Sequence, residues 1–324
     1  MIQTNALSIQ GLTVTYTTRI GEVSAVEDVS LSLAKGESLG LVGESGCGKT
    51  TLALALLRLL PDNAQIRHGK VLLNGVDILP FDEEQLQEVR WNKIAMVFQA
   101  AMNSLNPVYR VADQIVEAIE THWKHYSPRQ ARQRAADLFG LVGLDPGLMD
   151  CFPHEFSGGM RQRAMIAMAL ACDPDIIIAD ELTTALDVIV QDQVLRELQR
   201  IQKQLNMSLI YISHDIAVLA EVSERMAVMY AGCLVELAST GELFSHPLHP
   251  YTHALMSAFP SIRGPRRDLQ ALAGEPPDLL APPSGCRFHP RCTRATDRCQ
   301  MEQPEFVDRG GQHFVACWHP VEAD

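Results

Sequence analysis

The 324-residue chain is 47% hydrophobic, enough for a real core, and it has room for two ordinary domains or one large α/β domain with an appendix. Its formal net charge of −12 argues against a phosphate-backbone partner, so no nucleic-acid partner is expected. No run approaches the ~18 apolar residues of a membrane span, and Met1-Ile2-Gln3-Thr4-Asn5 lacks the basic and apolar regions of a secretory signal, so a cytosolic chain with reduced thiols is expected.

Residues 7–14 and 23–33 are rich in β-branched residues with polar interruptions, which predicts an antiparallel entry sheet. A short apolar strand, Ser38–Val42, is followed by a Gly-rich turn and by the Ala/Leu-rich stretch Thr50–Leu60, a predicted helix that stops at Pro61. Residues from about 100 to 170 read as largely helical, with segments such as Val111–His122 and Pro128–Phe139. The α/β pattern returns with strand Ile176–Ala179, helix Ile189–Leu205, strand Ser208–Ile212, a helix from Ile216 and strand Arg225–Tyr230. From about residue 245 proline becomes frequent, which predicts a linker and a small C-terminal module.

The turn Gly43-Glu44-Ser45-Gly46-Cys47-Gly48-Lys49-Thr50, followed by Thr51, has the glycines, lysine and hydroxyl of a phosphate loop in register. It sits where a strand gives way to a helix, as the chemistry requires: glycines let backbone N–H groups turn inward around phosphates, and the helix N-terminus adds a positive dipole. Lys49 would hold the β- and γ-phosphates of ATP and Thr50 would ligate Mg²⁺. The competing reading is a Gly-rich turn with a solvated lysine. Cys47 lies within the loop, so alkylation of its thiol is expected to inhibit unless the sulfur is buried and inert.

The run Ile176-Ile177-Ile178-Ala179-Asp180-Glu181 reads as a fully buried strand ending in two acids. Asp180 is the candidate Mg²⁺ ligand. Side chains alternate in direction, so Glu181 projects differently and is the candidate general base for the attacking water.

Phosphate loops alone do not separate kinases from GTPases, helicases and transporters. Phe156-Ser157-Gly158-Gly159-Met160-Arg161-Gln162-Arg163 resembles the signature motif of ABC ATPases, and it opens a predicted helix Gly159–Ala171. Gln99 after Met96-Val97-Phe98, the step Ala185-Leu186-Asp187, and His214 in Ile212-Ser213-His214-Asp215 resemble that family's remaining loops, all in family order. Ser104-Leu105-Asn106-Pro107, Thr183-Thr184-Ala185-Leu186-Asp187-Val188 and the tail His249-Pro250-Tyr251-Thr252 make the chain most similar to the dipeptide/oligopeptide (nickel) importer ATPases. Met160 and Leu182 stand where that pattern commonly has glutamine and proline.

The resemblance implies an ABC-type P-loop ATPase core with an antiparallel β subdomain and a helical subdomain at 1–245, plus a small Cys-rich module at 246–324. It implies that Ser157, Gly158, Gly159 and Asp187 act on nucleotide shared with a second ATPase subunit, expected to be a paralogous heterodimer partner. Gln99 would sense Mg²⁺, His214 would contact the γ-phosphate, and an aromatic would stack on adenine, for which Tyr16 is the candidate. Two transmembrane permease subunits and an extracytoplasmic substrate-binding protein complete the implied assembly, on the cytoplasmic face of a bacterial inner membrane. The rival function is a soluble ABC ATPase acting on nucleic acid or ribosomes.

Cys286, Cys292, Cys299 and Cys317 crowd into a Pro-rich tail, and in a reducing compartment such a cluster suggests metal. Their intervals match neither a zinc ribbon nor a ferredoxin run, so spacing leaves Zn²⁺, an iron–sulfur cluster and free thiols open. The resemblance to Cys-tailed peptide-importer ATPases implies a 4Fe–4S cluster.

Overall fold

The computed structural model describes residues 5–98, 104–182, 186–257 and 274–321. Contacts divide the chain into two compact units, one of Met1–Ser8, Ser32–Ser38 and Leu72–Ile212, the other of Ile9–Leu31, Leu39–Val71 and Ser213–Asp324.

In the first unit, strands Ile94–Val97, Ile176–Asp180 and Ser208–Ser213 run parallel, with Ile94 opposite Ile176 and Asp180 opposite Ile212. All five residues of Ile176–Asp180 are buried, which explains why the strand is written as an unbroken apolar run. Around them lie helices Val111–His122, Pro128–Leu141 and Gly158–Ala169. The second starts at a capping box, Ser127 with Gln130, and has proline in its first turn, where a missing N–H costs nothing. Its Ala131, Ala135, Leu138 and Phe139 recur at helical spacing and are fully buried, with Phe139 meeting the Phe156 ring edge-on at 6.4 Å. Helix Val188–Leu205 buries Val194, Leu195, Leu198 and Ile201, each worth about 1.5–3 kcal/mol, and ends at Asn206 in the left-handed conformation.

In the second unit, Leu39 to Val42 runs parallel to Arg225 to Val228. Strands Arg225–Tyr230 and Cys233–Ser239 form an antiparallel hairpin whose two-residue turn, Ala231-Gly232, has φ of 47° and 86°. Such a turn matches the twist of the strands it joins. The hairpin register breaks between Leu234 and Glu236, a bulge that leaves Glu236 wholly buried. Cys233–Ser239 continues the sheet into Phe314–Val315, which pairs in turn with Val307–Asp308. In a separate sheet, Asn5–Thr18 lies between Gly21–Ala34 and Ala64–Leu73.

Several predicted boundaries move, most by a residue or two, and two lie at the nucleotide motifs. The helix expected over Thr50–Leu60 spans Lys49–Leu56, because Arg58 turns left-handed at φ 53° well before Pro61. The helix expected from Gly159 begins at Gly158 and ends at Ala169. Among the described residues, no helix is long and apolar enough to cross a membrane.

Candidate functional site: the nucleotide loop and its motif partners

Strand Ser38–Val42 is buried throughout and delivers the chain to the loop, which passes into helix Lys49–Leu56 at Gly48. Gly48 has φ 106°, and a Cβ there would lie 2.1 Å from the Ala25 carbonyl oxygen, so only glycine fits. Lys49 is buried and its Nζ donates to the carbonyls of Gly43 at 2.7 Å and Glu44 at 3.0 Å, which sets the ammonium inside the loop. This answers the solvated-lysine reading: the cation is held by the loop's own backbone.

Ser45 and Gly46 are exposed, as is Thr50 at the start of the helix. Tyr16 is brought to the same place, its hydroxyl 3.2 Å from Thr51 Oγ1. Cys47 differs from the expectation of a modifiable thiol. It is 4% exposed with Sγ 3.6 Å from Lys49 Nζ, and burial pushes the thiol above its ordinary range despite that cation.

In the first unit, Asp180 closes its strand at 1% exposure. Glu181 follows with φ 46°, its N–H donating to the Ile212 carbonyl at 2.9 Å. A non-glycine residue in that conformation costs on the order of 1–3 kcal/mol, the kind of strain found where a side chain must be aimed. Leu182, in the place of the usual proline, is buried.

Ser157 caps helix Gly158–Ala169, accepting from Met160 N at 3.3 Å, so the N–H groups of the Ser157-Gly158-Gly159 turn open one end of that helix. A Cβ on Gly159 would meet Val190 Cγ1 at 2.6 Å, so that glycine also permits close packing on helix Val188–Leu205. Asp187 caps the latter helix, accepting from Val190 N at 3.0 Å. His214 is exposed beside Asp215, which caps helix Ile216–Val222. Gln99 lies outside the described residues, as does Ala185.

The metal expectation for the tail is overturned. Cys286, Cys292, Cys299 and Cys317 do converge, lining one void with His249, His289 and Trp318. Among the described residues, however, no group of three or more His, Cys, Asp or Glu side chains is arranged to hold a metal ion. The void is about 10 Å³, about the space of one water and far short of a cubane cluster. Burial also pushes the Cys286 and Cys317 thiols up to about 11 and raises that of Cys292. The 4Fe–4S cluster, and with it the Zn²⁺ alternative, does not hold.

Sequence reasoning missed the residues that grip the loop from behind. Tyr251 Oη accepts from Glu44 N–H at 3.1 Å, and Arg291 donates to both Glu44 carboxylate oxygens at 2.7 and 3.0 Å. Tyr251 was visible only as part of a tail motif, and nothing in the sequence singles out Arg291.

A parallel strand running into a glycine-turned loop, an enclosed lysine and a helix defines the class: a P-loop nucleotide-binding α/β protein. Residues 26–184 match the ABC transporter family, and residues 235–299 match the C-terminal region of oligopeptide/dipeptide transporters. The dipeptide transport ATP-binding protein DppD of Bacillus subtilis is 43% identical over 96% of this chain and 94% of its own. The oligopeptide transport ATP-binding protein OppD of Escherichia coli is 42% identical over 98% and 94%. A solved dimeric bacterial ABC transporter cassette, MJ0796, superposes with a TM-score of 0.65 at 26% identity, covering 72% of this chain and 98% of that one. The chain belongs to the ABC transporter ATP-binding family, in its oligopeptide/dipeptide branch.

Proposed function

We propose that the protein is the ATP-hydrolysing subunit that powers uptake of di- or oligopeptides through a membrane ABC importer. The observation that carries the reading is the glycine-turned loop with Lys49 enclosed in it, in a chain similar over nearly its whole length to dipeptide and oligopeptide transport ATP-binding proteins. That same similarity disfavours a soluble ATPase working on nucleic acid or ribosomes.

Roles follow residue by residue. Lys49 exchanges its carbonyl partners for the β- and γ-phosphates, and the N–H groups from Gly46 to Thr51 cradle them. Gly43, Glu44, Ser45 and Cys47 shape the loop, and Tyr16 stacks on adenine. The Thr50 hydroxyl and the Asp180 carboxylate are oxygen donors of the hard type that suits Mg²⁺, and Gln99 is a further oxygen donor by its place in the family's motif order. When bound, Mg²⁺ neutralises charge on the phosphate oxygens. Glu181 orients the attacking water and accepts its proton, and His214 donates to the γ-phosphate. Ser157, Gly158, Gly159 and Asp187 address nucleotide held by a second ATPase subunit, a paralogous partner. Two permease subunits and an extracytoplasmic binding protein complete the importer, with this chain on the cytoplasmic face of the bacterial inner membrane. Residues 1–245 serve as the nucleotide-binding domain, with a helical part at about 100–170, and 246–324 as the importer-type C-terminal region, a reading supported by the match over residues 235–299.

The test is reconstitution of the chain with its membrane subunits in lipid vesicles, followed by ATPase measurement with peptide-loaded binding protein. Stimulation that disappears in Glu181→Gln is the expected result. Hydrolysis indifferent to loaded binding protein but stimulated by RNA would overturn it.

A further inference from the structure

We propose that Arg291, far along the chain from the nucleotide motifs, is a positioning residue for nucleotide binding: it neutralises the Glu44 carboxylate and turns it away from the phosphates that the loop receives. The proposal rests on the reading of Gly43–Thr50 as the ATP site.

Glu44 is an awkward residue for the second position of a loop that must receive a polyphosphate. The loop's backbone wraps the anion, so the Glu44 side chain comes within about 10 Å of it, a distance over which salt at 0.1 M does not fully screen like charges. The structure disposes of that charge. Arg291 donates through both terminal nitrogens to the two Glu44 oxygens at 2.7 and 3.0 Å, the fork geometry that makes guanidinium–carboxylate pairs strong and directional. The Arg291 side chain is only 7% exposed and that of Glu44 is 25% exposed, so the pair is sheltered from counterions. Tyr230 holds the guanidinium from a second side, its hydroxyl 3.2 Å from Nη1 and its ring 5.7 Å below the central carbon.

The main chain of Glu44 is fixed as well. Its N–H donates to the hydroxyl of Tyr251, whose ring is wholly buried against Tyr230 at 4.7 Å and Phe288 at 5.4 Å. Farther along the loop, Cys47 carbonyl accepts from Gly232 N–H at 2.9 Å, in the hairpin turn whose Ala231 carbonyl is bound by Arg287. Residues from the C-terminal region therefore reach the loop at its second position directly and at its fifth through one intervening turn. Of these contacts, only the Arg291–Glu44 pair changes the charge that a nucleotide meets.

A salt bridge that merely tied the tail down would predict lost stability when broken, irrespective of what remains at position 44. Charge masking predicts something more specific. With the full chain, steady-state ATPase assays should give Arg291→Ala a KM for MgATP raised about 10-fold with kcat changed less than about 2-fold, the signature of lost binding and not of lost chemistry. The rise should shrink in high salt, where the unmasked carboxylate is screened. Adding Glu44→Gln to Arg291→Ala should return KM to within about 2-fold of the unaltered chain, because the offending charge is gone although the bridge is still missing. Arg291→Lys keeps the charge on a flexible stem and should stay within about 3-fold, which preserves the test if the alanine variant does not fold. An unchanged KM in Arg291→Ala, or a raised KM that Glu44→Gln leaves in place, overturns the proposal. If the unaltered chain binds no ATP, or Lys49→Ala binds it equally well, the ATP-site reading fails instead.

Discussion

The nucleotide motifs and the C-terminal region both gather polar side chains, and they treat them in opposite ways. At the motifs, Ser45, Thr50 and His214 stay exposed, Glu181 stands on left-handed backbone, and Lys49 borrows carbonyls that it can give up. Behind the loop, Glu236 is wholly buried and saturated: it accepts from Leu248 N–H at 2.7 Å and His249 N–H at 2.9 Å, and meets His313 Nε2 at 2.6 Å. His249 is buried too, and its Nδ1 accepts from Tyr251 N–H at 3.0 Å. The first region keeps polar side chains at the surface and one acid in a costly backbone conformation, whereas the second commits its polar groups to its own architecture. Arg291 apart, substitutions should therefore separate activity from stability according to region.

The largest effect belongs to the motif side. Glu181→Gln keeps the side-chain shape but cannot accept a proton, so kcat should fall by about 10²–10⁴-fold while ATP still binds. Its melting temperature should stay close to that of the unaltered chain. Near-normal turnover would remove Glu181 as the base, and a large stability loss would blur the comparison.

On the C-terminal side the corresponding experiment is a pH series. Burial lowers His249 from about 6.5 to about 4, with Glu236 opposing the shift. The unfolded chain thus takes up a proton at a pH where the folded chain does not. The stabilisation is complete above about pH 6.5 and is lost as pH falls toward 4, amounting to roughly 3 kcal/mol for a fully realised shift of this size. Denaturant unfolding at intervals over that range should show the decline, and His249→Asn, whose side-chain oxygen keeps an acceptor for the Tyr251 N–H, should flatten it. An unchanged slope in that variant would assign the titration to another group.

Lys49→Ala comes next. Removing a cation that faces two phosphates should weaken ATP binding by about 2 kcal/mol, roughly 30-fold, measured with a fluorescent ATP analogue. Unchanged affinity would break the view that the enclosed ammonium is on loan to the loop. The smallest effect is expected at Cys47, where burial and a raised thiol pKa should make alkylation slow and leave ATPase activity untouched over the time that exposed thiols react. Rapid inhibition prevented by Cys47→Ser would show that the loop opens far more than its packing suggests.

What could be read from the residues follows the same division. The phosphate loop is legible because its requirements are local: each glycine answers a backbone demand within a few residues, and the strand before it and helix after it carry clear periodicity. Ile176–Asp180 is legible for the same reason, an unbroken apolar run being the mark of a strand covered on both faces. Strand Ala64–Leu73 was not, since Arg67, His68, Gly69 and Lys70 are exposed and leave no apolar alternation to find. Strand Cys233–Ser239 was hidden by the buried Glu236, whose partners lie 12, 13 and 77 positions away in sequence. The cysteine tail misled more deeply. Its crowding was real, but crowding in sequence says nothing of how the side chains are arranged, and among the described residues they form no group that could hold a metal ion. Arg291 illustrates the remaining limit, for a long-range ion pair has no signature in either partner's neighbourhood.

The bulge between Leu234 and Glu236 has a bearing on which sequence changes this hairpin can accept over time. The ladder sets Leu234 opposite Met229 and Glu236 opposite Val228, so Val235 is the surplus residue and the facing of its neighbours is fixed by their partners. Deleting Val235 would thus leave a regular ladder with Glu236 still opposite Val228 and still accepting from the N–H groups of Leu248 and His249. A one-residue deletion at 235 should therefore be tolerated better than one between Glu236 and Ser239, where each residue lost is a paired one.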